Sequence, residues 1–323
     1  MSTTDQEQQP AANNGPVIIA DDFSVASSST SLASSILNHR IENGRTYHRY
    51  KDGQYSYPND EKEADRLDLQ HNVFLLTLDY RLGLAPIAQP EAKVGRVLDV
   101  GTGTGLWCVE FGDEHPDAEA VVSCAHVLSY SVPPNVKFEV DDLEEPWTYH
   151  TKFDYIHTRA MTSSISDWRR FFKQSYDFLE PGGYLELQEG HMRPECDDGT
   201  LKPDSPLVEW VDRLEEACNI FGRPFVDCPS LRPLLEEVGF EDVVDPHYRE
   251  LGIWTLENML EGLEAWSMAP FTRALEWTKE EVNVFLIGVR NELKNKNVHG
   301  YIAVYIIHAR KPLKETEENR EAS

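Results

Sequence analysis

The sequence predicts an α/β domain built on a doubly wound, mostly parallel sheet. Three observations carry this expectation. Short apolar runs alternate with helical patterns from residue 96 to about residue 190; the first run, "RVLDV", stops at the glycine loop "GTGTG"; and "HGYIAVYIIHARK" near the end is rich in β-branched and aromatic residues. Strand and helix alternating at this spacing argue for parallel strands joined by right-handed crossovers.

The elements follow in chain order. Residues 1–35 are rich in Ser, Asn, Gln and Ala, a composition too poor in large apolar side chains to offset the entropy of ordering, so a disordered tail is expected. Residues 36–95 read as an N-terminal helical preface. There "RIENGRTYHRYKDGQYSYPND" mixes Tyr and Arg with turn residues, and Asn59 or Asp60 is placed to cap the helix "EKEADRLDLQHNVFLLTLDYRL". Leu67, Leu69, Val73, Leu76 and Leu78 fall mostly on one face of that helix.

The main domain spans 96–311. "RVLDV" is its first strand, "LWCVEFGDEHP" a helix stopped by Pro116, and "EAVVSC" the second strand. "VKFEV" and "FDYIHT" are the third and fourth, and "DWRRFFKQSYDFL" is a helix closing at the turn "EPGG" before the fifth strand "YLELQE". The C-terminal third reads as helices over "PLVEWVDRLEEACNIFG", "SLRPLLEEVGF", "TLENMLEGLEAWSMAPFTRALEW" and "TKEEVNVFLIGVRNELKN", the last opening with Thr278 and Glu281 at capping-box spacing. A long final strand follows, and 312–323 read as a second disordered tail.

Composition narrows the function classes. The chain carries 56 acidic against 30 basic residues in 323, a formal charge of -26, which opposes direct binding of nucleic acid, because that affinity rests on Lys and Arg neutralising phosphates. No run approaches the roughly eighteen apolar residues of a membrane span, and the N-terminus lacks the pattern of a signal peptide, so a soluble cytoplasmic or nuclear protein with no membrane partner is expected. Cys108, Cys124, Cys196, Cys218 and Cys228 form no C-x-x-C pair and have no clustered His partners, which predicts free thiols and no metal site.

The chemistry concentrates in "LDVGTGTG". Asp99 stands near the end of the first strand, and Gly101, Thr102, Gly103 and Gly105 form the turn into the first helix of the domain. Glycines let the backbone turn sharply and approach a ligand, while a helix N-terminus offers N–H groups and a positive dipole end. A nucleotide-like ligand with a carboxylate or phosphate suits such a loop. The spacing is G-x-G-x-G, not the dinucleotide G-x-G-x-x-G.

A G-x-G-x-G loop with an acidic residue in the strand before it resembles the first motif of the class I S-adenosylmethionine-dependent methyltransferases, whose fold is Rossmann-like. The set "NGRTYHRY", "YPNDEKEADRLDLQH", "GTGTGLW", "PPNVKFEVDDLEEPW", "FDYIHTR", "LEPGGYLELQE", "DDGTLKPDSPL" and "GLEAWSMAPFTR" looks, over residues 38–312, like the fungal LaeA-like members. The resemblance implies S-adenosylmethionine as cofactor, with Asp99 near its methionine part, Asp142 accepting from the adenine amine and Leu143 packing on the ring. It also implies a small-molecule or protein methyl acceptor, a link to secondary metabolism, and, as the alternative, a regulatory protein acting through nuclear partners. Methyl transfer requires alignment and exclusion of water rather than a nucleophile or metal. His157 and Arg159 after the fourth strand, with His191 after the fifth, are the candidates for a general base at the mouth of the site.

Two stretches depart from the family pattern. The second strand runs into "AHVLSYSVPPN" without the Asp or Glu that would take the ribose hydroxyls, and Glu119 lies at the wrong end of that strand. Two readings stay open: His126, or Ser123 and Ser129, supply weaker neutral hydrogen bonds, or the segment is a local corruption such as a misplaced exon boundary. After "GFEDVV" the chain passes almost directly through "DPHYRE", which predicts a sixth strand that is short or absent.

Overall fold

The computed structural model describes residues 39–48, 56–123, 132–139, 143–249 and 252–313. The tail expected over 1–35 lies outside them, as do residues 314–323 of the second tail.

The preface begins with an element the composition did not announce. Strands β1 (His39–Glu42) and β2 (Arg45–His48) pair antiparallel through Asn43 and Gly44, whose φ values of 52° and 88° make the two-residue turn that Asn-Gly favours in hairpins. Arg45 clamps Asp60 with two hydrogen bonds of 2.5 and 2.6 Å, so the hairpin is tied to the cap of helix α1 (Glu61–Thr77). That helix stops before the expected "LDYRL", because Asp79 and Tyr80 adopt φ of 55° and 59°. Of the expected stripe Val73 and, at the C-cap, Leu78 are buried, while Leu67, Leu69 and Leu76 are only partly so; Glu63, Arg66, His71 and Phe74 complete the buried side. The reason is its setting: it lies against polar partners, with Arg66 donating to Glu63 and to Asn258 of a later helix.

Five parallel strands follow. From β3 (Arg96–Val100) the chain passes through helix α2 (Leu106–Glu114) to β4 (Glu119–Ser123) and then β5 (Val136–Glu139), stepping outward on one side. It returns to place β6 (Phe153–Arg159) on the other side of β3, then runs through α3 (Trp168–Phe178) into β7 (Leu179–Glu195). The winding direction therefore reverses between β3 and β6. In open α/β sheets the crevice outside the carboxyl ends of the strands at such a switch point is the ligand site.

β7 begins earlier than expected. The "EPGG" stretch is not a turn ahead of the strand but lies within it, absorbed by a shift of register between the pairs Phe153–Leu179 and Tyr155–Tyr184. Gly182 permits this with φ of 86°.

Helices α4 (Pro206–Ile220), α5 (Cys228–Val238), α6 (Gly252–Ala274) and α7 (Lys279–Leu293) make up most of the C-terminal third, and α7 opens with the expected capping box of Thr278 and Glu281. The sixth strand is short, as expected, and it is also broken: β8 (Glu241–Val244) and β9 (His247–Arg249) flank Pro246 and both pair antiparallel with β10 (Tyr301–Arg310). Proline has no N–H for a ladder, which accounts for the break. The sheet order is β5-β4-β3-β6-β7-β10-β8, with β10 antiparallel to its neighbours, so the doubly wound, mostly parallel, Rossmann-like sheet is present.

Apolar clusters cover both faces. One joins Leu98 and Ile156 to Phe171, Phe172, Leu231 and Leu235 of α3 and α5. The other joins Val97, Val122 and Tyr155 to Trp107 and Phe111 of α2. Strands buried on both faces read as continuous apolar runs, which is why "RVLDV" and "AVV" carry them. Helices α4, α6 and α7 form a separate cluster around Trp210, Leu263, Phe271 and Leu286.

Candidate functional site

At the switch point the carboxyl end of β3 turns into α2 through residues 101–105. Gly101, Gly103 and Gly105 all have left-handed φ, at 72°, 56° and 76°. Any other L-residue there costs roughly 1–2 kcal/mol, so all three glycines are required by the backbone. A Cβ at Gly101 would also collide with the sulfur of Met161. No side chain caps the first turn of α2, so its N-terminus presents a positive dipole end to this loop.

The loop floors a cleft lined by Asp99, Gly101, Thr102, Gly103, Thr104, Leu106 and Trp107 from this segment, His157 and Arg159 from β6, and Leu67, Gln70 and His71 from α1. Its cavity volume is about 60 Å³. Helix α1 is what narrows it: Leu67 lies over Gly103, and Thr104 Oγ1 donates to Asp68 at 2.6 Å.

Asp99 and His157 are register partners on β3 and β6, and His157 Nδ1 lies 2.7 Å from Asp99 Oδ1. Both are buried, at 2% and 0% exposure. Trp107 stacks on the imidazole with centroids 3.7 Å apart and planes 6° from parallel. Burial pushes the Asp99 carboxyl well above its ordinary range and holds His157 well below its own. A histidine kept neutral in this way orients the carboxylate beside it. Asp99 Oδ2 and His157 Nε2 are buried without a partner, so the cleft holds an acceptor aimed at no protein group.

Arg159 continues the site. Its Nε donates to Gln188 Oε1 at 2.8 Å, its Nη1 to His71 Nδ1 at 2.9 Å, and its guanidinium lies 4.7 Å over Phe74, while Nη2 is buried without a partner. Since His71 Nδ1 accepts from the guanidinium, its proton sits on Nε2, which donates to Glu110 at 2.9 Å. Burial holds His71 below its ordinary range, so it stays neutral.

The loop after β6 is strained and firmly held. Ala160 and Ser163 adopt φ of 54° and 60°. The buried carboxylate of Glu189 accepts from the N–H groups of Met161 and Thr162 at 2.9 and 3.1 Å, and burial pushes it up to about 8. Tyr57 of the preface meets Ser163 at 2.6 Å, and Val226 N donates to Thr162 Oγ1 at 3.1 Å. Backbone strain over-determined by its surroundings is a frequent mark of a functional site.

The cleft thus unites Asp99, Gly101, Thr102, Gly103, His157 and Arg159, with Gly105 closing the turn beside them. His126, Ser129 and Asp142 lie outside the described residues, as does the side chain of Ser123. Leu143 is partly buried on the core below, its carbonyl accepting from Trp147 Nε1 and Gln174 Nε2 at 3.1 and 3.2 Å. Glu119 sits at the amino end of β4, bound to Arg96 and Lys137. His191 lies within β7 rather than after it, edge-on to Tyr305, and does not line this cleft. His71, Gln70, Trp107 and Glu189 were not singled out from sequence. They carry no motif spacing, and their place follows only from α1 docking on the sheet and from β7 passing beneath the loop.

Comparison with known proteins places this arrangement. The methyltransferase-domain family matches residues 69–244. Methyltransferase pytC of Aspergillus terreus is 40% identical over 301 residues, covering 88% of this chain and 92% of that protein. The secondary metabolism regulator LAE1 of Cochliobolus heterostrophus is 37% identical, covering 84% of this chain and 94% of that protein. The protein-methionine methyltransferase laeA of Emericella nidulans is 33% identical, covering 84% and 76% respectively.

Proposed function

The chain belongs to the methyltransferase-domain family, and on that premise we propose that it transfers a methyl group from S-adenosylmethionine to a small-molecule or protein acceptor in fungal secondary metabolism. The observation that carries the reading is the buried Asp99 carboxylate beneath three left-handed glycines, with Oδ2 unpartnered in the cleft. An amino-acid ammonium group fits that acceptor, and the N-terminus of α2 favours an adjacent negative charge.

When bound, the cofactor supplies a methyl group on a sulfonium, which leaves without a nucleophilic side chain or metal. The protein's part is alignment and exclusion of water. Asp99, held by His157, takes the methionine end. Gly101 and Gly103 let the backbone come close to it. The loop from Ala160 to Ser163, held by Glu189, Tyr57 and Val226, borders the acceptor side. By chain order Asp142 and Leu143 would hold the adenine, and His126, or Ser123 and Ser129, would be the neutral partners of the ribose.

His157 is too deeply buried, and too firmly engaged with Asp99 and Trp107, to serve as a general base on an acceptor. The name of the Emericella relative supports a protein methionine as one acceptor class. A regulatory role, acting through nuclear partners, is the alternative; the name of the Cochliobolus relative supports regulation of secondary metabolism and no more. Among the described residues no helix is long and apolar enough to cross a membrane.

Calorimetric titration of the full chain with S-adenosylmethionine and S-adenosylhomocysteine tests the proposal. Saturable one-site binding is expected; absence of binding at millimolar ligand overturns it.

A further inference from the structure

One ion pair joins three loops of this chain: Glu144 follows β5, residues 160–166 follow β6, and Arg223 lies between α4 and α5. The end of α4 throws Arg223 into place. Gly222 takes a left-handed φ of 71°, and the N–H groups of Gly222 and Arg223 donate to Asn219 O and Cys218 O at 3.0 and 2.9 Å, a pattern that closes a helix and reverses the chain. From there the guanidinium fork donates through Nη1 to the carbonyl of Ser164 and through Nη2 to Glu144 Oε2. The other oxygen of Glu144 accepts from Ser166 N at 2.8 Å, one residue before the cap of α3. The two side chains are only 14% and 21% exposed, so solvent screens them less than surface pairs such as Arg169 with Glu237. Against burial, which raises it, the bonds from Ser166 and Arg223 hold the Glu144 carboxyl below its ordinary range.

We infer that Arg223 and Glu144 are positioning residues for the methyl donor: their ion pair fixes residues 143–147 against the loop after β6, and so sets how closely the adenine amine is read. Asp142 joins this stretch directly at Leu143. The inner end of the stretch is tied to α3, where Leu143 O accepts from Gln174 Nε2 and Trp147 N donates to Gln174 Oε1 at 3.1 Å. Its outer side is held by the ion pair, which ties loops to one another rather than to the apolar core. Val226 N, donating to Thr162 Oγ1, repeats that tie from the same α4–α5 connection. The planar fork of arginine fixes the spacing of two acceptors from different segments, which the single point charge of lysine does not. The assignment rests on the cofactor reading above, in which Asp142 accepts from the adenine amine.

The test compares S-adenosylhomocysteine with S-inosylhomocysteine, which differ in the purine ring alone, a 6-amino group in one and a 6-oxo group in the other. Each is titrated calorimetrically into wild type, Glu144→Gln, Arg223→Gln, Arg223→Lys and the double glutamine variant. Wild type is expected to prefer the adenosyl ligand by about tenfold or more, as a charge-assisted contact to the amine warrants. Either glutamine variant is expected to reduce that preference below about threefold, as loss of the contact requires, while binding the inosyl ligand as before, which also shows that it is folded. Arg223→Lys should keep an intermediate ratio. The double variant should lose no more than either single one, because both act through one contact. A preference that survives in both glutamine variants, or losses that simply add, overturns the assignment but leaves the cofactor reading intact. Wild type binding the two ligands equally does the same. Failure of wild type to bind either ligand overturns that reading and the assignment together.

Discussion

His157 and Asp99 face each other as register partners on adjacent parallel strands, their Nδ1 and Oδ1 atoms 2.7 Å apart at the floor of the cleft. The pair lies where the sheet reverses its winding. One strand brings the carboxylate, the other the imidazole that holds it, and α2 brings Trp107 to cover the imidazole. Asp99 Oδ2 and His157 Nε2 are the two polar atoms of the pair left without a protein partner.

Asp99→Asn keeps the shape and the bond to His157 but removes the carboxyl that an arriving ammonium group would draw into its charged form. Charge-assisted hydrogen bonds contribute about 1.5–3 kcal/mol. Cofactor affinity is therefore expected to fall by about tenfold or more, with little change in melting temperature, in paired calorimetric and thermal measurements. Equal affinity in the variant contradicts the role assigned to Asp99.

Gly101 and Gly199 share a left-handed φ, 72° and 69°, but only Gly101 has a neighbour where a Cβ would go. Gly199→Ala should therefore cost only the backbone strain, roughly 1–2 kcal/mol. Gly101→Ala adds a collision with the thioether end of Met161, which that flexible side chain must move to relieve at a cost of about 1 kcal/mol, and should also weaken cofactor binding. Urea unfolding of the two variants separates the contributions; equal losses would count against the contact with Met161.

Glu189 links pH to stability. Burial raises its carboxyl from 4.5 to about 8, so between these values the unfolded chain has released a proton that the folded protein retains. The stability contributed by the protonated form is complete below about 4.5 and declines as pH rises through 8, by at most about 1.4 kcal/mol per pH unit. Glu189→Gln lacks this decline, yet turns an amide NH2 toward one of the N–H groups of Met161 and Thr162, costing about 1 kcal/mol or more. The variant is expected to be less stable than wild type at low pH, with the gap narrowing or reversing as pH rises to 8. Denaturation curves that stay parallel across the range would show that Glu189 does not titrate in this way.

Much of the architecture was legible because it depends on local pattern. The runs "RVLDV" and "FDYIHTR" are strands because β-branched and apolar residues are buried on both faces. Asp167, Ser205 and Thr278 start helices because their side chains accept from the first free N–H groups. The hairpin at Asn43-Gly44 was equally local, and the Asn-Gly signal was there to be used. What was not legible involved pairing between distant segments. The passage of β7 through "EPGG" depends on its neighbour β6, and the splitting of the last strands around Pro246 depends on β10.

The sequence by itself determined the doubly wound sheet, the glycine loop and the acidic residue before it, because each is specified by residues close together along the chain. Only the tertiary structure decided how these become a site. It set His157 under Asp99, it brought His71 across from α1 to hold Arg159, and it ran Glu189 beneath a strained loop whose Met161 lies 28 residues away in the chain. The physical reason is that a buried charge takes its meaning from partners, and those partners come from strands and helices that meet only when the sheet is assembled.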